Sequence, residues 1–207
     1  MTAGPVSARE KRSYMRREEF ITGLVAVSAA GTSSTARTVE TCDQNDALPY
    51  DRQLEITMRV LDGPDFVLSK YLGFAVWINV FATWCEPCQK EQRFIVDTAA
   101  QYRETGLRLI GIDYQEPDNT VRAYRAKYGI TYPIAMDEHG GFTRALETSH
   151  VNVPMHFPAH LFITPRGRLS CFRVGSLSEA AMLYKVSVLL GIPAAQPSAV
   201  PTEQPGP

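Results

Sequence analysis

The chain has 207 residues, 44% of them hydrophobic and 21% charged, with a formal net charge of −1. That is enough for one ordinary domain with tails, and the balance is globular, which excludes wholesale disorder and a fibrous repeat. A near-neutral charge argues against general nucleic-acid binding, and four cysteines are too few for a disulfide-built scaffold.

Residues 1–45 read as an N-terminal extension. Lys11, Arg12, Arg16 and Arg17 precede a short apolar stretch at 20–31, and small residues follow. Charge, a short hydrophobic core and small residues, in that order, are the pattern of a secretory signal peptide. An extracytoplasmic location, periplasmic or secreted, is therefore expected after cleavage. Glu18 and Glu19 interrupt the pattern, and a cytoplasmic location is the alternative. No apolar run reaches the ~18 residues that span a bilayer, so no transmembrane span is expected in the mature domain.

Residues 46–192 read as one domain. Leu54, Ile56, Met58 and Val60 alternate as in a half-buried strand. Asp62-Gly63 is a turn leading to a second short strand at 66–68, the two making a hairpin. AVWINVF at 75–81 is a continuous apolar run, hence a central strand buried on both faces. A helix is expected from Cys85 to about Arg103, with Phe94, Ile95, Ala99 and Tyr102 on its apolar face. A strand at 107–112 and a helix from Asp118, its cap, to Lys127 follow, with Gly129 as the stop. A short strand at 134–136 precedes a helix at 142–147. Strands at 160–163 and 169–174 flank Pro165-Arg166-Gly167 as a hairpin. Ser176 and Glu179 read as a capping box for a last helix ending at Gly191. Alternating strands and helices, closed by a hairpin and a helix, define an α/β sandwich with a mixed sheet. Residues 193–207 hold five prolines and are expected to form an extended, disordered tail.

The chemistry centres on Trp84-Cys85-Glu86-Pro87-Cys88. The pair follows a buried strand and opens a helix, where unpaired backbone N–H groups and the helix dipole favour an anion. The thiolate is the reactive form of cysteine, so this position activates Cys85. Cys88, one turn further in, is expected to be the more buried, resolving thiol. Pro87 fits the first turn, and Trp84 is placed to cover the thiols. Glu86 opposes thiolate formation through its charge. A zinc ribbon needs a second ligand pair at regular spacing; none is present, so no metal and no cofactor is expected. A purely structural disulfide is the remaining alternative.

The run WINVFATWCEPCQKE at 77–91 resembles the active-site stretch of the TlpA/ResA group of extracytoplasmic thiol–disulfide oxidoreductases. The likeness extends to 111–133, similar to that group's central insertion and following strand, and to FPAHLFI at 157–163, similar to its cis-proline segment. It implies an α/β thioredoxin-like three-layer sandwich: a mixed central sheet flanked by helices, with an N-terminal β-hairpin and a central insertion. It implies that Cys85 attacks a substrate disulfide, that Cys88 resolves the mixed disulfide, and that Glu91, if shielded, relays the proton of Cys88. Asn79 stands where other thioredoxins place a buried aspartate, which favours Glu91 for that role. Pro158 is implied to be cis, facing the disulfide, and Trp84, Pro87, Phe157 and Pro158 to contact substrate. The implied partners are protein thiol or disulfide clients, such as apocytochrome c or copper-site thiols, and an upstream electron donor. A monomer is expected. The sequence departs from the group at Arg93, where a proline is frequent, and at Ala159 and His160, which replace small hydroxylic residues. His156 is a candidate to approach the thiols.

Cys42 and Cys171 are isolated in sequence. A bridge between them would close a loop of over 100 residues, worth about 4–5 kcal/mol in the chain-entropy model. The leading expectation is a thiol–disulfide oxidoreductase that reduces protein disulfides through Cys85 and Cys88, and two further functions compete with it. A thiol peroxidase uses one cysteine in a Pro-x-x-x-Thr-x-x-Cys loop, whereas this chain has Ala82-Thr83-Trp84-Cys85 with a resolving cysteine beside it. A non-enzymatic copper module would use Cys85, Cys88 and His156 or His160.

Overall fold

The computed structural model describes residues 53–151 and 156–193. The expected extension with its cleavage site and Cys42, and the expected tail from residue 194 on, lie outside the described residues.

The apolar run at 75–81 forms β3 (Ala75–Phe81), and all seven of its residues are buried. It sits at the middle of a five-stranded sheet of order β5-β4-β3-β6-β7. The other strands are β4 (Leu107–Asp113), β5 (Ile134–Met136), β6 (Ala159–Ile163) and β7 (Leu169–Val174). β3 runs parallel to β4 and antiparallel to β6, so the sheet is mixed. Gly167 turns β6 into β7 with φ of 74°, and a Cβ there would lie 3.0 Å from Leu72 Cδ2. Only glycine meets both conditions without strain.

Among the described residues four α-helices flank the sheet: α1 (Glu86–Tyr102), α2 (Asp118–Tyr128), α3 (Gly141–Thr148) and α4 (Glu179–Leu190). Alternation along β3 divides the core in two. Trp77 and Phe81 point to a cluster containing Ile95 of α1, Val121 of α2 and Met182 of α4. Val76, Ile78 and Val80 point to a second cluster with Phe142 of α3 and with Met58 and Phe66. The latter two belong to a small antiparallel hairpin of β1 (Thr57–Met58) and β2 (Phe66–Val67).

The segment that contains β1 straps this second face. Leu54 donates its N–H to the Gly167 carbonyl (3.1 Å), while Leu61 donates to Ile134 (2.8 Å) and Met136 to Arg59 (2.9 Å). Residues 53–61 therefore bind the β6–β7 turn at one end and the outer edge of β5 at the other. This is why the expected strand at 54–60 shows alternating burial yet only two residues of regular strand.

Two helix starts differ from expectation. Asp118 is the first residue of α2 rather than its cap; Pro117 holds the cap position without a side-chain bond. The Asp118 carboxylate instead pairs with Arg59 (2.7 Å) and Arg122 (3.2 Å). The cap of α4 is Ser178, whose Oγ accepts from Ala181 N (3.3 Å), not Ser176. The Ser-x-x-Glu spacing matches a capping box, but the helix begins two residues later. Among the described residues no helix is long and apolar enough to cross a membrane.

Candidate active site

Where β3 ends, the chain turns through 82–84 and Cys85 caps α1. Cys85 and Cys88 are joined as a disulfide. Cys85 Sγ accepts the Cys88 N–H at 3.2 Å, and the Cys85 carbonyl accepts from Gln89 N at 3.1 Å. Cys85 Sγ thus sits on a backbone N–H at the start of the helix dipole, a position that favours an anion. Cys88 is 1% exposed and Cys85 5%, the order expected of resolving and attacking sulfur.

Pro87 lies in the first turn of α1 and is exposed. Glu86 pairs with Lys90 at 2.8 Å, and this cation holds its carboxyl below the usual range. Its negative charge is thus partly offset before it reaches the thiols. Trp84 is 66% exposed, so it stands beside the disulfide as an open aromatic surface rather than a cover. Its ring meets Phe157 edge-on at 6.0 Å, and Phe157 in turn lies 4.8 Å from Tyr114. The Phe157–Pro158 peptide bond is cis, and Pro158 is buried. Trp84, Phe157 and Tyr114 form an aromatic row alongside the dithiol.

Glu91 is buried one turn beyond Cys88. Its Oε2 accepts from Leu177 N at 2.9 Å. Its Oε1 lies 3.2 Å from His160 Nε2, close but off the line of a hydrogen bond, since neither atom has a hydrogen-bond partner among the described residues. His160 is directly opposite Asn79 in the β3–β6 register. Beside Glu91, Gln92 donates to Tyr132 Oη (2.6 Å) and accepts from Tyr124 Oη (3.3 Å). Burial first, and the Glu91 charge among the smaller causes, pushes both phenols up, so they remain protonated.

A second polar group supports the loop before Cys85. The Glu116 carboxylate accepts from Thr83 N and from Thr83 Oγ1 (2.6 Å). Gln89 Nε2 donates to the Thr83 carbonyl at 2.7 Å. Glu116 N donates to Asp113 Oδ1 at 3.2 Å. Burial, then the neighbouring Glu116 carboxylate, pushes the Asp113 carboxyl up to about 8.

The structure thus gathers Cys85, Cys88, Glu91, Trp84, Pro87, Phe157 and Pro158 at one end of the sheet. His156 is exposed. His160 is engaged with Trp77, Asn79 and Glu91 rather than presented as a thiol-side ligand. Cys171 is buried on β7 near Lys185 Nζ (3.8 Å), away from this group in the sheet order. Among the described residues no cluster of three or more His, Cys, Asp or Glu is arranged to hold a metal ion. Tyr114, Asp113 and Glu116 were not read from the sequence. The parallel register gives the signal, because Phe81 pairs with Asp113: the residues after β4 must emerge beside those after β3, where ligands of parallel sheets gather.

A disulfide at a strand-to-helix turn, on a mixed sheet flanked by helices, defines a thioredoxin-like fold. Comparison with known proteins agrees. The AhpC/TSA family model matches residues 48–171, and the chain belongs to that family. It is 32% identical over 80 residues to the thiol-disulfide oxidoreductase ResA of Bacillus thuringiensis subsp. konkukian (strain 97-27), covering 39% of this chain and 46% of that protein. With ResA of Halalkalibacterium halodurans it shares 25% identity over 171 residues, 83% of this chain and 91% of that one. The match thus spans about half the length of the first of these relatives. A thiol:disulfide interchange protein of the thioredoxin family from Chlorobium tepidum TLS superposes with a TM-score of 0.61 at 28% identity, covering 68% of this chain and 96% of that one. A DsbF homologue from Corynebacterium diphtheriae, at 16% identity and TM-score 0.60, covers 75% and 96% and shares the fold. The expected likeness to the TlpA/ResA group is borne out.

Proposed function

We propose that this protein is a thiol–disulfide oxidoreductase that reduces protein disulfides. The observation that carries the reading is the Cys85–Cys88 disulfide at the start of α1, with Cys85 Sγ on a backbone N–H and a buried carboxylate one turn beyond Cys88. The Cys85 thiolate attacks a client disulfide, forming a mixed disulfide and releasing one client thiolate. Glu91 takes the proton of Cys88. The Cys88 thiolate then attacks Cys85 Sγ, closing the Cys85–Cys88 bond and releasing the second client thiolate. Two electrons pass to the client, and an upstream donor restores the dithiol. Trp84, Phe157 and the Pro158 backbone receive the client chain. Extracytoplasmic location, a Cys42–Cys171 bridge, a monomeric state, and clients among apocytochrome c or copper-site thiols belong to the same reading.

The reduction potential of the Cys85–Cys88 pair tests it. A value at or below about −200 mV is expected of a reductase, against about −120 mV for the oxidant DsbA. A value near the latter reverses the direction of electron flow, and failure to form the bond from the reduced protein ends the redox reading. The AhpC/TSA match keeps thiol peroxidase as a second reading. Rapid consumption of hydrogen peroxide by the reduced protein, with Cys88→Ser stalled after one turnover, would favour it.

A further inference from the structure

We infer that His160 is a positioning residue for Glu91, locked by Trp77 into the tautomer that carries its one N–H on the ring nitrogen nearest the Glu91 carboxylate. The inference rests on the relay role proposed for Glu91. His160 is 0% exposed, and its two ring nitrogens face different partners. Nδ1 lies 3.3 Å from Trp77 Nε1 and 3.5 Å from Asn79 Nδ2. An indole nitrogen only donates, so Nδ1 must accept and carries no hydrogen. The hydrogen of the neutral ring is therefore on Nε2, 3.2 Å from Glu91 Oε1. Leu177 N donates to Oε2, and Oε1 has the protonated ring nitrogen of His160 as its near neighbour, within reach of a hydrogen bond after a small side-chain adjustment.

The same geometry excludes His160 as the proton acceptor. An imidazolium would carry a second N–H on Nδ1, aimed at the indole N–H of Trp77. The proton of Cys88 therefore stops at Glu91, and His160 orients and stabilises the acceptor without touching the sulfurs. Oε1 is left with room to move. The contact with Nε2 is close but not collinear, and Cys88 lies on the same face of α1 three residues before Glu91. Other groups that can carry charge face this site. They are Cys88 on α1, Tyr124 on α2, Tyr132 before β5, Arg173 opposite His160 on β7, and Lys185 buried on α4. All are retained when His160 alone is changed, so a shift in pH dependence reports on the His160–Glu91 pair.

The test follows the reduced full-length protein reacting with 5,5′-dithiobis(2-nitrobenzoic acid) by stopped flow between pH 5 and pH 9. Attack by Cys85 releases one thionitrobenzoate and leaves the other bonded to Cys85. Attack by Cys88 on Cys85 Sγ releases the second and forms the Cys85–Cys88 bond. The Cys88→Ser protein stops after the first release and so identifies the second phase. In His160→Ala the second phase slows roughly tenfold to a hundredfold, the size of a hydrogen bond to a charged group, and its pH profile moves to higher pH. The first phase is unchanged. His160→Gln, which keeps an N–H donor near the Nε2 position, recovers most of the rate. His160→Asn satisfies Trp77 but offers Glu91 no donor, so it slows like His160→Ala and carries the test if the alanine protein does not fold. In a Glu91→Gln background, His160→Asn adds no further slowing. A second phase unchanged in rate and profile in His160→Ala or His160→Asn, with Glu91→Gln slow, overturns this inference alone. A normal second phase in Glu91→Gln overturns the relay itself and the inference with it.

Discussion

On one side of the central strand, Val76, Ile78 and Val80 meet aliphatic and aromatic neighbours from β1, β2 and α3. On the other, Trp77 and Asn79 meet His160, which leads to Glu91 and the dithiol helix. Both sides are equally buried, and the same seven residues supply both. The first side can be explained by packing alone. The second carries a row of hydrogen-bonding groups whose desolvation must be offset by partners, and it is the side that carries the dithiol helix α1. Both faces carry core packing, but the polar groups that lead to the dithiol stand on one face only, and substitutions should separate the two.

The largest effect is expected at the dithiol. Cys85→Ser abolishes disulfide exchange, and Cys88→Ser accumulates a mixed disulfide with a client or model disulfide, read as an added mass. Glu91→Gln comes next, slowing the resolving step by on the order of a hundredfold, the scale of a lost general base, with the protein still folded. On the other face the outcome inverts. Ile78→Ala costs about 2–5 kcal/mol in denaturant unfolding, while the exchange rate of the folded protein is unchanged. A loss of exchange rate there would break the division between the faces.

A pH-dependent effect belongs to Asp113, below the loop that leads to Cys85. Its folded-state value of about 8 lies above the ordinary 3.8. Between those values the folded protein holds one more proton than the unfolded chain. Stability therefore falls by about 1.4 kcal/mol per pH unit as pH rises through this window, and levels off above it. Asp113→Asn flattens that slope in unfolding measured from pH 4 to pH 9. The smallest effect is at the surface. Trp84→Ala leaves thermal stability unchanged but weakens binding of an unfolded client about tenfold, the loss of one aromatic anchor.

Much of this division could be read from the residues. The β3 run, its neighbours and the dithiol at the following helix were legible because apolar runs, turn glycines and Cys-x-x-Cys spacing are local signals. Glu91 was legible through resemblance, but its contacts were not. His160 shows why. In the sequence it is a polar residue in a short strand, and only the antiparallel register places it on Asn79 and under Glu91. Glu116 is hidden in the same way, thirty-three positions from the threonine it holds. The misplaced start of α4 has a different cause. Ser176 and Ser178 both offer a capping hydroxyl, and burial of Leu177 against the core selects the later one.

The strap at 53–61 has a consequence for how the domain is made. Its partners, at Ile134, Met136 and Gly167, have not yet been synthesised when it leaves the ribosome. The central strand is in the same position on one side, because β6 begins only at Ala159. Local helices form early, but the sheet cannot close until translation has passed the final hairpin. A ribosome paused before Ala159 would therefore hold a half-built sheet. Its central strand would present an open edge, and such edges recruit other chains.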